Sequence, residues 1–253
     1  GAIRFAADAA GIDERVLALN GDVLTDLDVA GLWAQHESFG GEATIALTPV
    51  DDPSRFGVVP VDSEGRVEAF IEKPPPGTAP SNWINAGTYV LEPEFLARIE
   101  PGRRSSIERD VFPAVVADGR LFAVQSDAYW IDAGTPEAYV QAHLDLLDGR
   151  RVGGAVDGVD PRASVDPTAK VQRSFVGAGA VVAAGAEIVD AVVCAEARIG
   201  EGARVDRSVV GPRAVVGDRA TLSGLSVVGF DAVVDAGAVV AGGSVPPPES
   251  WAV

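Results

Sequence analysis

A step of 17 residues runs through the second half of the chain and leaves it few ways to fold. A small residue followed two positions later by an aliphatic one recurs at Ala163-Ser164-Val165, Ala180-Val181-Val182, Ala197-Arg198-Ile199, Ala214-Val215-Val216 and Ala232-Val233-Val234, so the starts lie 17, 17, 17 and 18 residues apart. Six residues after each comes a second such triplet, from Ala169-Lys170-Val171 to Ala238-Val239-Val240. A third aliphatic pair completes each period: Phe175-Val176, Val192-Val193, Val209-Val210 and Val227-Val228. Alternation along each segment turns one side chain inward and the next outward. Stacked coils then bury a continuous aliphatic column that no single coil could bury. The reading is a parallel β-helix of triangular section with about five coils, its strands about six residues long, with glycine and alanine at the crowded corners. A valine-rich β-sandwich gives no reason for a fixed step.

The first half has a different composition. Of the net charge of −17, residues 1–149 carry −15 and residues 150–253 carry −2, and 13 of the 16 aromatic residues lie in the first part. So acidic a chain lacks the basic face that a nucleic-acid backbone requires. No apolar run approaches the roughly 20 residues that cross a bilayer, which predicts no membrane partner. The single cysteine, Cys194, can form no internal disulfide, and a reducing cytoplasm is the simplest home for it. The chain starts at Gly1 and contains no methionine, which suggests that sequence is missing in front of it.

Along residues 1–149 the pattern alternates between strands and helices. Residues 2–10 read as the tail of a helix, and Val16 to Leu19 as a short buried strand ending at Asn20-Gly21-Asp22. A helix from about Asp28 to Phe39 is closed by Gly40-Gly41, and Ala43 to Val50 forms the next strand. Strand, helix and strand at this spacing predict a parallel α/β sheet. Phe56 to Val61 and Arg66 to Ile71 flank a hairpin signal, Asp62-Ser63-Glu64-Gly65. Trp83 to Leu91 is a further strand. Ser105-Ser106-Ile107-Glu108 fits a capping box, and Thr135-Pro136 opens a helix that runs to Gly149. The expected domains are 1–149, a linker at 150–161, and the β-helix at 162–253.

Several polar residues sit where a site could form, although each also has a structural reading. Asp22 follows a strand end, where open α/β sheets bind ligands, and an aspartate there suits Mg²⁺ as well as it suits a turn. Asp132, in Trp130-Ile131-Asp132-Ala133-Gly134-Thr135, is a second such residue, equally readable as a helix cap. Lys73, in Glu72-Lys73-Pro74, is one of only two lysines among 20 basic residues. Its compact charge suits a phosphate oxygen, or simply a solvated strand end. In Asn85-Ala86-Gly87 the amide can bind sugar hydroxyls, and Gly87, like Gly57, marks a close approach by a ligand or by backbone.

Together these segments resemble a known family. Leu19-Asn20-Gly21-Asp22, Phe56-Gly57-Val58-Val59-Pro60, Phe70-Ile71-Glu72-Lys73-Pro74, Ile84-Asn85-Ala86-Gly87-Thr88-Tyr89 and Trp130 to Thr135 follow the order of the sugar-1-phosphate nucleotidyltransferases. Ser105 to Pro113 looks most like the mannose-1-phosphate guanylyltransferases. The resemblance implies an incomplete Rossmann-like α/β nucleotidyltransferase domain followed by a left-handed parallel β-helix of hexapeptide repeats. It also implies a Mg²⁺-dependent reaction of a nucleoside triphosphate, by this likeness GTP, with a sugar-1-phosphate, by this likeness mannose-1-phosphate, giving a nucleotide-sugar and pyrophosphate. By motif position, Asp22 and Asp132 hold the metal and Lys73 binds the sugar phosphate. Glu72, Asn85 and Gly57 contact the sugar, and Gly87 permits its approach. The family's glycine-rich opening loop, which cradles the triphosphate, is absent from this sequence. The chain alone is therefore expected to show no turnover in a pyrophosphate-release assay. The alternative is a non-catalytic regulatory or scaffold relative, for which Asp22, Lys73 and Asp132 would be superfluous. Hexapeptide acyltransferases share the scaffold, but their base is a histidine in the coils, and His36 and His143 both lie outside them. The faces and ends of the coils offer surfaces for homo-oligomerisation.

Overall fold

The structure, a computed structural model, describes residues 1–247. The last part of the predicted β-helix, 248–253, lies outside the described residues. Internal contacts divide the chain into two compact units that meet in sequence at Trp130 and Ile131.

The first unit opens with helix α1 (Ala2–Ala10), then β1 (Val16–Leu19), β2 (Val23–Thr25) and α2 (Val29–Phe39). Asp28 caps α2 by accepting the Gly31 N–H at 2.9 Å, and Gly40, at φ 63°, ends it. Then come β3 (Ala43–Pro49), β4 (Gly57–Val58), β5 (Ile71–Glu72), the nine-residue β6 (Trp83–Leu91), α3 (Pro93–Ala97), α4 (Phe112–Ala117) and β7 (Leu121–Gln125). The sheet order is β5-β4-β6-β3-β7, with β1 also on β6.

The predicted parallel sheet is instead mixed. β1 and β3 both run antiparallel to β6, so they share a direction but are not neighbours, and only β3 with β7 is a parallel pair. The reason is β6, a long strand with nearly every residue from Ile84 buried, which takes the centre and draws partners to both edges. β1 and β4 sit end to end along one edge, at Thr88–Leu91 and at Ile84. β1 is also less buried than its apolar sequence suggested, with Leu19 54% exposed. The two faces of the sheet follow the alternation of β3. Ile45 and Leu47 pack with Leu91, Phe95, Ile99 and Phe112 on one side, and Ala46 with Leu32 and Val90 on the other.

The second unit begins inside β8 (Trp130–Asp132) and continues with α5 (Pro136–Leu147), whose first turn Thr135 caps by accepting the Ala138 N–H at 3.2 Å. Residues 150–161 hold turns and one parallel bridge, Val159 to Val176. Three five-stranded parallel sheets follow, one per face of a prism. Their registers repeat the sequence step: Ser164, Val181, Arg198, Val215 and Val233 stack in one column. The single 18-residue step is absorbed at a corner, where Gly224 and Leu225 both take positive φ (65° and 63°). Val182, Ile188, Val193, Ile199, Val205, Val210, Val216 and Leu222 fill the interior, each contributing about 1.5–3 kcal/mol by leaving water.

Two local expectations for the prism are corrected. The strands are two or three residues long, not six, because nearly every corner after the first coil takes a residue in the left-handed region. The alanines are not corner residues: Ala180, Ala186, Ala197, Ala203, Ala214 and Ala220 point inward, fully buried. Charged residues occupy many corners, among them Arg173, Asp190, Glu196, Arg207, Arg213 and Asp231. There the strained backbone is offset in part by exposed ion pairs between successive coils, Arg173 to Asp190 at 2.9 Å and Arg213 to Asp231 at 2.8 Å. Helix α5 covers one face of the prism, setting Val140 and Leu144 against Val192 and Val209.

Candidate functional site

The sheet brings five of the seven predicted site residues to its β4–β5–β6 end. Gly57 in β4 pairs with Glu72 in β5, and the Glu72 carboxylate lies over the glycine: a Cβ at Gly57 would sit 3.2 Å from Glu72 Oε2 and 2.7 Å from Phe70 Cζ. A side chain there would displace the Phe70 ring and crowd the acid. Lys73 ends the strand with its N–H donating to the Phe56 carbonyl at 3.0 Å. Its φ is 49°, although a residue before proline prefers extended backbone, and the left-handed region costs an L-residue about 1–2 kcal/mol. Such strain concentrates at functional positions. The Lys73 side chain is 61% exposed and its ammonium lies 3.7 Å from Glu72 Oε1, close enough to neutralise that charge and open enough to meet an anion.

Asn85 and Gly87 lie on the adjoining strand β6. Opposite Ala46 the ladder shifts register, and Gly87, at φ 74°, is the residue that makes the bulge. Asn85 Oδ1 accepts the Gly87 N–H at 3.0 Å, and its Nδ2 donates to the Tyr89 hydroxyl at 2.8 Å and to Glu108 Oε1 at 3.3 Å. Tyr89 is buried among Phe112 and its neighbours, and burial pushes its phenol well above the usual range.

Asp22 follows two residues after Asn20, whose N–H donates to the Gly87 carbonyl at 2.8 Å. A Cβ on Gly87 would lie 2.7 Å from Asn20 Nδ2, so the space left by this glycine is taken by Asn20. The Asp22 carboxylate is exposed. On the other face of the bulge the Trp130 indole donates to the Ala86 carbonyl at 2.9 Å. Asp132 is two residues further along, in the second unit, where its Oδ1 accepts the Gly134 N–H at 2.9 Å. That is the turn geometry its sequence also allowed. Among the described residues no group of three or more histidine, cysteine, aspartate or glutamate side chains stands ready to hold a metal, and no helix is long and apolar enough to cross a membrane.

The sequence pattern puts Glu108 in a capping box. In the structure Ser106 caps instead, accepting the Arg109 N–H, and Asp110 Oδ2 takes the Ser106 N–H at 2.9 Å. The turn Ile107–Val111 is a π-helix, a widened turn frequent at functional sites. Glu108 is thereby released to face Asn85. Burial first, and the Glu72 charge second, hold its carboxyl above the usual carboxylate range, against the opposing pull of Lys73 and Arg109. The only sequence signal for it was its place in Ser-Ile-Glu-Arg-Asp-Val-Phe-Pro, which spacing alone reads as a helix start.

Comparison with known proteins gives the family. Residues 1–149 match the nucleotidyl transferase family, and residues 155–250 match the GMPPB C-terminal domain. The chain therefore belongs to the nucleotidyl transferase family. Among curated proteins it is 43% identical over 139 residues to the mannose-1-phosphate guanylyltransferase of Mycobacterium tuberculosis, covering 54% of this chain and 38% of that one. It is 40% identical over 141 residues to the mannose-1-phosphate guanylyltransferase catalytic subunit beta of Dictyostelium discoideum, covering 55% and 38%. With the mannose-1-phosphate guanyltransferase of Schizosaccharomyces pombe it shares 43% over 135 residues, covering 53% and 36%. The match thus spans well under half the length of these relatives.

Proposed function

We propose that this chain carries the sugar-phosphate half of a nucleotidyltransferase site, and that the protein joins GTP and mannose-1-phosphate into GDP-mannose and pyrophosphate. The observation that carries the reading is the exposed Lys73 ammonium beside Glu72, Asn85 and Gly57 at one sheet end, in a chain whose relatives are named for this reaction. In the transfer, an oxygen of the sugar phosphate attacks the α-phosphorus and the bond to pyrophosphate breaks. Such chemistry needs alignment and charge neutralisation more than covalent help. Lys73 holds the sugar phosphate as a point charge. Glu72 accepts from sugar hydroxyls, and Asn85 retains one lone pair on Oδ1 for the same purpose. Gly57 acts here by leaving the Glu72 carboxylate and the Phe70 ring in place, and Gly87 by leaving room for Asn20 beside the strand.

Asp22 and Asp132 are the carboxylates proposed to hold Mg²⁺. Their chemistry fits, because this ion takes one or two carboxylates and fills its shell with water and substrate phosphates. Asp22 is solvent-facing, and Asp132 has its second oxygen left over from the turn. Bound there, the ion would neutralise the phosphates that meet. Left-handed coiling of the prism, self-association through exposed outer residues such as Val233 and Val239, and cytoplasmic residence with Cys194 unpaired belong to the same reading. Calorimetric titration of mannose-1-phosphate into the chain tests it. Lys73→Ala is expected to weaken binding about 10–100-fold, the range of a hydrogen bond to a charged group, and unchanged affinity would exclude Lys73 as the phosphate ligand.

A further inference from the structure

We infer that Glu108 is a specificity-determining residue that accepts sugar hydroxyls in this site, and that Asn85 acts on it as a positioning residue; the inference rests on the proposed sugar-phosphate reading. The hydrogen-bond inventory of Asn85 leads to it. A carboxamide has two N–H donors and two acceptor positions. Both donors are engaged, one by the Tyr89 hydroxyl and one by Glu108 Oε1, and one acceptor position takes the Gly87 N–H. Asn85 is thus locked from three sides and has no proton left to offer a ligand. What it does instead is fix one oxygen of Glu108.

Glu108 itself is a half-buried carboxylate with a single long hydrogen bond, 3.3 Å, and no ion pair among the described residues. The nearby Lys73 ammonium is paired to Glu72. Desolvating a carboxylate without full compensation is costly, and an incoming pair of hydroxyls would supply the missing donors. Hydroxyls suit the place better than a second cation does, because the Lys73 ammonium nearby repels a metal ion there. A fixed acceptor also discriminates. A sugar epimer whose hydroxyl points elsewhere leaves the carboxylate buried and unpaired, which is the arrangement that gives large selectivity.

The experiment measures affinities of the 253-residue chain for mannose-1-phosphate, glucose-1-phosphate and inorganic phosphate by calorimetry, with folding checked by circular dichroism. The native chain is expected to distinguish the two sugars. Glu108→Gln, nearly isosteric, is expected to weaken the preferred sugar phosphate about 10–100-fold, to bring the two sugars close to parity, and to leave inorganic phosphate unchanged. Asn85→Ala is expected to weaken the sugar in the native background and to cost clearly less beside Glu108→Gln than alone, because the share of its effect that runs through Glu108 is then already lost. Should Glu108→Gln loosen the fold, Glu108→Asp, which keeps the charge but withdraws it from Asn85, carries the same expectation. Unchanged sugar affinity or preference in these variants overturns the inference while leaving the Lys73 reading intact. An equal loss of inorganic phosphate overturns it too. A native chain that binds none of the three ligands overturns the site reading as a whole.

Discussion

Gly87→Ala isolates the contact that ties the Asp22 turn to the central strand. The residue sits at φ 74°, where an L-residue pays about 1–2 kcal/mol in backbone strain. Its new Cβ would stand 2.7 Å from Asn20 Nδ2, 2.9 Å from Cγ and 3.1 Å from Cβ. Asn20 is exposed and can rotate away, at about 0.5–1.5 kcal/mol for leaving its rotamer. Alanine also narrows the unfolded ensemble, which returns roughly 0.4–1 kcal/mol. The net destabilisation is about 1–2 kcal/mol, read as a lower midpoint at unchanged slope in urea. Asn20→Ala removes Nδ2 and Cγ but not Cβ, so in a double-mutant cycle it should recover the rotamer part and leave the backbone part. If Gly87→Ala is as stable as the native chain, or if Asn20→Ala restores nothing, the reasoning is refuted.

Two further predictions concern the prism and pH. In Gly217→Ala the added Cβ would lie 2.5 Å from the Ala236 nitrogen and 2.8 Å from its Cα. Backbone cannot swing aside as a side chain does, so overpacking of about 1–3 kcal/mol is expected, seen as a lower melting temperature. Glu108→Gln should be more stable than the native chain at pH 7. The folded-state pKa of Glu108 is raised, chiefly by burial, so the folded protein holds its proton more tightly than the unfolded chain does. The penalty for the buried charge is full above the raised pKa and relieved as pH falls to the ordinary carboxylate value. The stability gap between variant and native chain should therefore shrink as pH is lowered through that window. A gap that widens instead would contradict the assignment.

The prism was legible in the sequence because its interactions are one-dimensional. Each coil contacts the next at a fixed step, so Val182, Ile199 and Val216 announce their stacking by spacing alone. What spacing did not reveal was the corner conformation, which places charged residues such as Arg207 at positive φ. In the first unit the elements were legible and their partners were not. β6 was read correctly from Trp83 to Leu91, but nothing in its local pattern says that β1 and β3 will flank it, since strand pairing is decided by distant segments. The same limit applied to Glu108. Its spacing from Ser105 matched a local cap, and only the tertiary fold shows Asp110 taking the cap and Glu108 turning to Asn85. Lys73, Glu72, Gly57, Asn85 and Gly87 were singled out individually, and the fold gathers them because Gly57 pairs with Glu72 and β4 pairs with β6.

Diffraction from crystals grown with mannose-1-phosphate and manganese, recorded at the manganese absorption edge, bears most directly on the reading. The account predicts one anomalous peak ligated by the carboxylates of Asp22 and Asp132, with the phosphate of the sugar at the Lys73 ammonium. Manganese bound away from both aspartates, or a sugar phosphate seated apart from Lys73, would contradict it.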